Sequence, residues 1–261
     1  MQSLEVLFSP AEFESLKHRD LGNSLCVVFD VLRATTTILT ALNSGAEAVI
    51  SVTGITEALA WRARRPDVLL AGERHGLRIT ARLTGGVDFD LGNSPREFTP
   101  ERVQGRTIVT TTTNGTRALR AVLKAHRVLV GGFVNLSAVA ALVAQSDADE
   151  VIVVCSGTGE EAAFEDTLAA GALCDLVWPR DEITTIADSA QVARELFLRH
   201  STNLTDAMTL ARNGRTLLAI PSLAADVPFC VQRDTLGFVA ELCRDGSVRR
   251  IAGEAPSLLE K

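Results

Sequence analysis

Strand–helix alternation is repeated five times between Leu25 and Val177, and few folds accept that order of elements. Apolar, β-forming runs stand at Leu25–Phe29, Ala48–Val52, Val68–Ala71, Thr107–Thr111, Arg127–Val130 and Val151–Cys155. Helical spacing follows in Ile38, Leu39 and Leu42, in Ile55–Arg64, from Asn114-Gly115 through Leu123, in Leu136, Val139, Ala140 and Val143, and across Phe164–Val177. The apolar run Leu25–Phe29 is long enough for a strand buried on both faces. The expected fold class is α/β: a largely parallel or mixed sheet flanked by helices, in two closely merged lobes. The chain is expected to form a single unit, 1–261, with a lobe boundary near Pro179–Glu182.

Outside that core the pattern is less regular. Leu4–Phe8 reads as a further short strand and Pro10–Leu16 as a turn or helix. His75–Pro100 has no strong period and is rich in Gly, Asp, Asn and Pro, which suggests a long functional or mobile loop. Past Trp178, helices are expected at Ala190–Arg199 and Leu204–Ala211, the latter capped by Asn203 and stopped at Gly214. Phe238–Ile251 reads as a hairpin turning at Asp245-Gly246.

Charge and composition exclude several classes. Twenty-six basic residues against thirty-two acidic ones give a net charge of −6, with no basic run, which argues against nucleic-acid binding. No apolar run reaches the roughly 18–20 residues of a membrane span. The amino end shows no secretory pattern. Five cysteines without CxxC spacing read as reduced residues of a cytoplasmic protein.

The chemistry-bearing residues fall where strands end. Asp30 and Arg33 follow one strand, and Glu73 and Arg74 another. Thr110–Thr116 follows a third, Phe133-Val134-Asn135 a fourth, and Ser156–Gly159 a fifth, with Glu165 and Asp166 just beyond. In a parallel sheet such groups converge on one edge, outside the carboxyl ends of the strands. Hydroxyls and glycines before a helix offer N–H groups to an anion. Clustered carboxylates suit a hard cation such as Mg²⁺. Together they suggest phosphoryl chemistry on an anionic, phosphorylated small molecule.

Other motifs fit less well. Gly157-Thr158-Gly159-Glu160-Glu161-Ala162 matches a dinucleotide fingerprint, but two acids would sit where a pyrophosphate binds. Cys155 lacks the arginine six positions on that a thiol phosphatase needs, and Asp30 lacks the second acid of an aspartyl-phosphatase motif. There is no Walker loop. The four histidines show no zinc spacing, and His75 alone lies near the polar strand ends.

Taken together, FDVLRATTTI, AGERHG, FDLGNSP, TTTNGTRAL, FVNLSAVA and CSGTGEEAAFEDTLAAGAL resemble the 2-phosphosulfolactate phosphatase family, from about Val27 through Leu173 and more weakly to Asp234. The resemblance implies a Mg²⁺-dependent phosphatase with its site in a cleft, hydrolysing 2-phosphosulfolactate to sulfolactate and phosphate, a step towards coenzyme M. It carries over to Asp30 and Arg33, to Glu73, to Asn93 and Ser94, to Thr112, Thr113, Asn114 and Gly115, and to Glu165 and Asp166. ITARLTGGVDFDLGNSP departs from the family's more direct run into GNSP.

On this reading Asp30, Glu73, Glu165 and Asp166 are the candidate Mg²⁺ carboxylates. Arg33 clamps phosphate oxygens, and backbone N–H groups around Thr113–Thr116 complete the anion site. Asp166 or Glu73 serves as base, and Arg74 or Arg117 holds the second acid group. The reading admits a homo-oligomer. The competing readings are a non-catalytic anion- or nucleotide-binding protein, and an NAD-dependent oxidoreductase using the Gly157 loop.

Overall fold

The computed structural model describes residues 1–178 and 185–251. In chain order its strands are β1 (Ser3–Leu7), β2 (Ser24–Phe29), β3 (Ala48–Ser51), β4 (Leu69–Arg74), β5 (Leu77–Arg78) and β6 (Thr107–Thr111). They continue with β7 (Arg127–Gly131), β8 (Glu150–Cys155), β9 (Thr185–Ile186), β10 (Ala240–Leu242) and β11 (Ser247–Arg250). All belong to one sheet in the order β5-β4-β6-β3-β11-β10-β7-β2-β8-β1-β9. The expected α/β class holds, with helices covering a mixed sheet. The lobe boundary expected near Pro179–Glu182 lies outside the described residues. Among the described residues no helix is long and apolar enough to cross a membrane.

Every residue of β2 is buried, as its unbroken apolar run requires. Leu25, Val27 and Phe29 pack on one face with Val151 and Val153 of β8 and with the Phe164–Val177 helix. Cys26 and Val28 face the other way, towards the Ala34–Asn43 helix and Ile152 and Val154. Period-two alternation thus feeds two separate cores from one strand.

The strands do not form a single parallel edge. β7, β2, β8, β1 and β9 run parallel to one another, and so do β3, β6 and β4. Between the two groups lies the β10–β11 hairpin, antiparallel to β7 on one side and to β3 on the other. The two groups therefore run in opposite senses. Six steps separate β4 from β2, and at about 20–25° of twist per step most of that reversal is undone. The carboxyl ends of β4 and β6 are brought back towards those of β2 and β8, and a cleft forms between them.

Three further expectations change. His75–Pro100 is not a free loop: Ile79, Phe89 and Leu91 are fully buried, and Ile79 and Phe89 build a small core with Val52, Val68 and Leu70. The Leu204–Ala211 helix ends at Ala207, and Gly214 lies inside a new helix, Arg212–Leu218. A Cβ at Gly214 would come within 2.1 Å of the Met208 carbonyl oxygen, so close packing rather than helix termination requires glycine there. The helix Asp226–Cys230 had no clear periodic signal. The hairpin turn at Asp245-Gly246 is where the sequence places it, with Gly246 at φ +81°.

Candidate active site

The β2–helix junction is braced by its own side chains. Asp30 Oδ1 accepts from the Ala34 amide at 3.0 Å, capping the Ala34–Asn43 helix. The three threonines that follow are structural. Thr35 Oγ1 donates to the Asp30 carbonyl, Thr36 Oγ1 to the Val31 carbonyl, and Thr37 Oγ1 to the Asn93 carbonyl. The second oxygen of Asp30 faces Gly115, where an added Cβ would lie 2.9 Å from it.

A cleft of about 420 Å³ opens at this junction, lined by Asp30, Arg33, Glu73, Arg74, Asn93 and Thr112 together with Thr113, Asn114, Thr158 and Asn213. Behind it lie Glu165 and Asp166, buried in the first turn of the Phe164–Val177 helix. Asp166 ties two loops together: Oδ1 accepts from the Val31 amide at 2.8 Å and Oδ2 from the Gly157 amide at 3.1 Å. Glu165 Oε1 accepts from Asn213 Nδ2 at 2.6 Å, and Glu165 Oε2 has no partner. Thr112, Thr116 and Ser156 each also hold a buried, unpaired hydroxyl oxygen in this region.

Electrostatics match that geometry. Burial, followed by the charges of Glu165 and Glu73, pushes the Asp30 carboxyl up to about 6 against the Ala34 hydrogen bond. Burial raises Glu165 as well, opposed by Asn213. Burial, then Asp30 and Glu165, holds Asp166 well above the usual carboxylate range. Three neighbouring acids out of water with raised pKa values favour a proton or a cation among them.

Several expected site residues are engaged elsewhere. Arg33 is buried: its Nη1 donates to Asp226 Oδ2 at 2.7 Å and its Nη2 to the Gly76 carbonyl at 2.7 Å. Ser94 Oγ also donates to Asp226, at 2.6 Å, rather than facing the cleft. The Thr113 amide is held by Glu73 Oε1 at 3.0 Å, so it is not a free anion donor. Glu73 Oε2 accepts from the Gly76 amide at 2.8 Å. Arg117 turns to a different groove and pairs with Glu160 at 2.9 Å. Asn135 braces the end of β7, accepting from the Gly132 amide, and takes no part in the cleft. Neither Asn213, which lines the cleft, nor Asp226, which holds Arg33 from behind, stands out in the sequence.

Among the described residues no group of three or more His, Cys, Asp or Glu is placed to enclose a metal ion. The four expected carboxylate ligands thus form no cage: both oxygens of Asp166 and of Glu73 accept from backbone amides, which leaves a second lone pair on Glu73 Oε2. Asp30 lines the cleft, and the unpartnered Glu165 Oε2 lies buried behind it. Two carboxylates with no nitrogen or sulfur donor suit a hard cation that keeps its waters and shares oxygens with a phosphate, which is how Mg²⁺ binds.

Two alternative chemistries are weakened here. Cys155 is fully buried, and burial with the Asp166 charge holds its thiol well above its usual range, leaving no thiolate nucleophile. Cys155→Ser is expected to keep more than about half of wild-type phosphate release; a drop of several orders of magnitude would reinstate the thiol. The Gly157 loop closes on itself through a Thr158–Glu161 bridge, and the following helix starts only at Phe164. The positive end of that helix is filled by Glu165 and Asp166, so a pyrophosphate has no place there.

A family model described as 2-phosphosulpholactate phosphatase matches residues 11–245. A probable 2-phosphosulfolactate phosphatase of Caldanaerobacter subterraneus subsp. tengcongensis is 39% identical over 239 residues, covering 91% of this chain and 95% of that protein. One from Symbiobacterium thermophilum is 39% identical over 219 residues, 83% of this chain and 90% of its own. One from Carboxydothermus hydrogenoformans is 35% identical over 238 residues, 91% and 92% respectively.

Proposed function

This chain belongs to the 2-phosphosulpholactate phosphatase family, and from that premise we propose that it hydrolyses 2-phosphosulfolactate to sulfolactate and inorganic phosphate. It is a phosphoric monoester hydrolase. The observation that carries the site assignment is one cleft lined by a fixed arginine and by Asp30 and Glu73, with the unpartnered oxygen of Glu165 buried behind it.

Asp30 and Glu165 are the residues that would hold Mg²⁺. When bound, the ion neutralises phosphate oxygens and lowers the pKa of a water. Arg33 keeps three of its five N–H donors beyond those bonded to Asp226 and Gly76, and these clamp the equatorial oxygens of a loose transition state. Glu73 lines the cleft and Asp166 does not, so Glu73, through the second lone pair of Oε2, is the base that takes the proton of the attacking water. Asp166 instead fixes the Val31 and Gly157 backbones. The substrate carries a carboxylate and a sulfonate besides its phosphate. Arg74, on the cleft wall, is the candidate to hold one of them, since Arg117 turns away.

The five cysteines are unpaired, and four of them are buried, which supports a reducing, cytoplasmic setting. The product fits a step towards coenzyme M. A phosphate-release assay on 2-phosphosulfolactate tests the proposal, using protein stripped with chelator and then reloaded with Mg²⁺. Release is expected only after reloading. No release from the loaded protein would overturn the substrate, and full release from the stripped protein would overturn the metal. NAD binding without metal would favour the oxidoreductase reading.

A further inference from the structure

Asp226 is wholly buried, lies 193 residues along the chain from Arg33, and takes no part in the reaction as derived above. Both of its oxygens are engaged. Oδ2 accepts from Arg33 Nη1 at 2.7 Å, while Oδ1 accepts from Ser94 Oγ at 2.6 Å and from Arg96 Nε at 2.8 Å. Arg96 is further tied to the Ser222 carbonyl at 2.9 Å. A carboxylate held from three sides cannot turn, so the arginine it holds cannot turn either.

The far side of the guanidinium is fixed as well. Arg33 Nη2 donates to the Gly76 carbonyl at 2.7 Å, the Gly76 amide donates to Glu73 Oε2 at 2.8 Å, and Glu73 Oε1 accepts from Thr113. A continuous hydrogen-bonded chain thus runs from the Asp226–Cys230 helix through the cleft to the end of β6. Fixed at both Nη atoms, the planar fork has its orientation set, and Arg33 lines the cleft.

We propose that Asp226 is the positioning residue for Arg33, holding the guanidinium so that its remaining donors meet the substrate's phosphate. This rests on the reading of Arg33 as the phosphate clamp. It makes a helix near the carboxyl end part of the phosphate site, although that helix brings no group to the phosphate itself. A buried ion pair that merely joined segments would affect stability and leave phosphate affinity alone.

Inorganic phosphate, titrated calorimetrically into the full chain with Mg²⁺ present, separates the two roles. The variants are Arg33→Lys, Asp226→Glu, Asp226→Asn and the double variant Arg33→Lys/Asp226→Glu, each first checked for a cooperative melt. Asp226→Glu keeps the charge that buried Arg33 needs but displaces it by a methylene, so it guards against Asp226→Asn failing to fold. Arg33→Lys and Asp226→Glu are each expected to weaken phosphate binding by about tenfold or more, the scale of a lost charge-assisted hydrogen bond. The double variant should bind no more weakly than Arg33→Lys alone, because one residue acts through the other. In steady-state assays the loss in Asp226→Glu should appear in kcat as well as in KM, since Arg33 clamps the transition state too.

If Arg33→Lys weakens binding while Asp226→Glu binds as wild type does, the positioning role is overturned and the clamp stands. Additive losses in the double variant also overturn it. Tighter phosphate binding by Asp226→Asn would mean that Asp226 screens charge rather than sets orientation, which overturns it too. Wild-type binding by Arg33→Lys would overturn the clamp reading, and the positioning role with it.

Discussion

Asp30→Asn is expected to lower kcat by about a thousandfold and, at the same time, to make the metal-free protein more stable above pH 6. The two effects share a cause. Asn keeps the side-chain oxygen that caps Ala34, so the helix start survives. It removes the charge that a cation needs and that the folded protein otherwise buries beside Glu165 and Glu73. The folded carboxyl lies at about 6 against an ordinary 3.8, so the folded state holds the proton more tightly than the unfolded chain does. Its contribution to stability is therefore intact below pH 3.8 and is lost as the pH rises to about 6. That loss is on the order of 3 kcal/mol at most, and Asn does not incur it. Calorimetric melting of chelated protein at pH 8 should put Asp30→Asn above wild type, with the gap closing near pH 4. A destabilised variant, down by about 1 kcal/mol and with turnover intact, would reduce Asp30 to a cap.

Gly115→Ala should lower turnover by about a hundredfold and stability by about 1–3 kcal/mol. Its Cβ would stand 2.8 Å from the Ala34 Cβ, 2.9 Å from Asp30 Oδ2 and 3.4 Å from Thr112 Oγ1. None of these is the loose end of a long side chain. Ala34 begins a buried helix, and Asp30 is fixed by the Ala34 amide. The methyl group must therefore push the Gly115–Ala121 helix away from the β2 junction, which opens the wall of the cleft and shifts the carboxylate. Urea unfolding with kcat on the same preparation decides it. Turnover within a few-fold of wild type would show that the junction relaxes without consequence.

The parts of the fold written in local pattern were legible from the sequence. β2 and β8 announced themselves as unbroken apolar runs, and Asp30 and Arg33 as polar residues directly after one of them. The hairpin turn at Asp245-Gly246 was equally plain, because a tight turn is a local demand on backbone conformation. What escaped notice depends on partners far along the chain. Nothing around Asp226 indicates that it meets Arg33 and Ser94, and nothing around Asn213 indicates Glu165. Arg33 lies at the cleft as its place after β2 suggests, but the sequence gives no sign of the buried ion pair with Asp226 that holds it there. Gly214 reads as a stop in the sequence because close packing and helix termination favour the same residue. The opposed senses of the two strand groups were also invisible, since strand order in a sheet is a long-range property.

The β10–β11 hairpin has a consequence for the order in which the protein can be made. The two strands at the middle of the sheet come from nearly the last part of the described chain. Until the ribosome has released them, β3 and β7 each present an unpaired edge, the kind of surface that recruits other chains. The two groups can pair internally, but their union must await synthesis of β10 and β11. The chain therefore folds with many long-range contacts still to close, and depends on completing this hairpin before those edges find another partner.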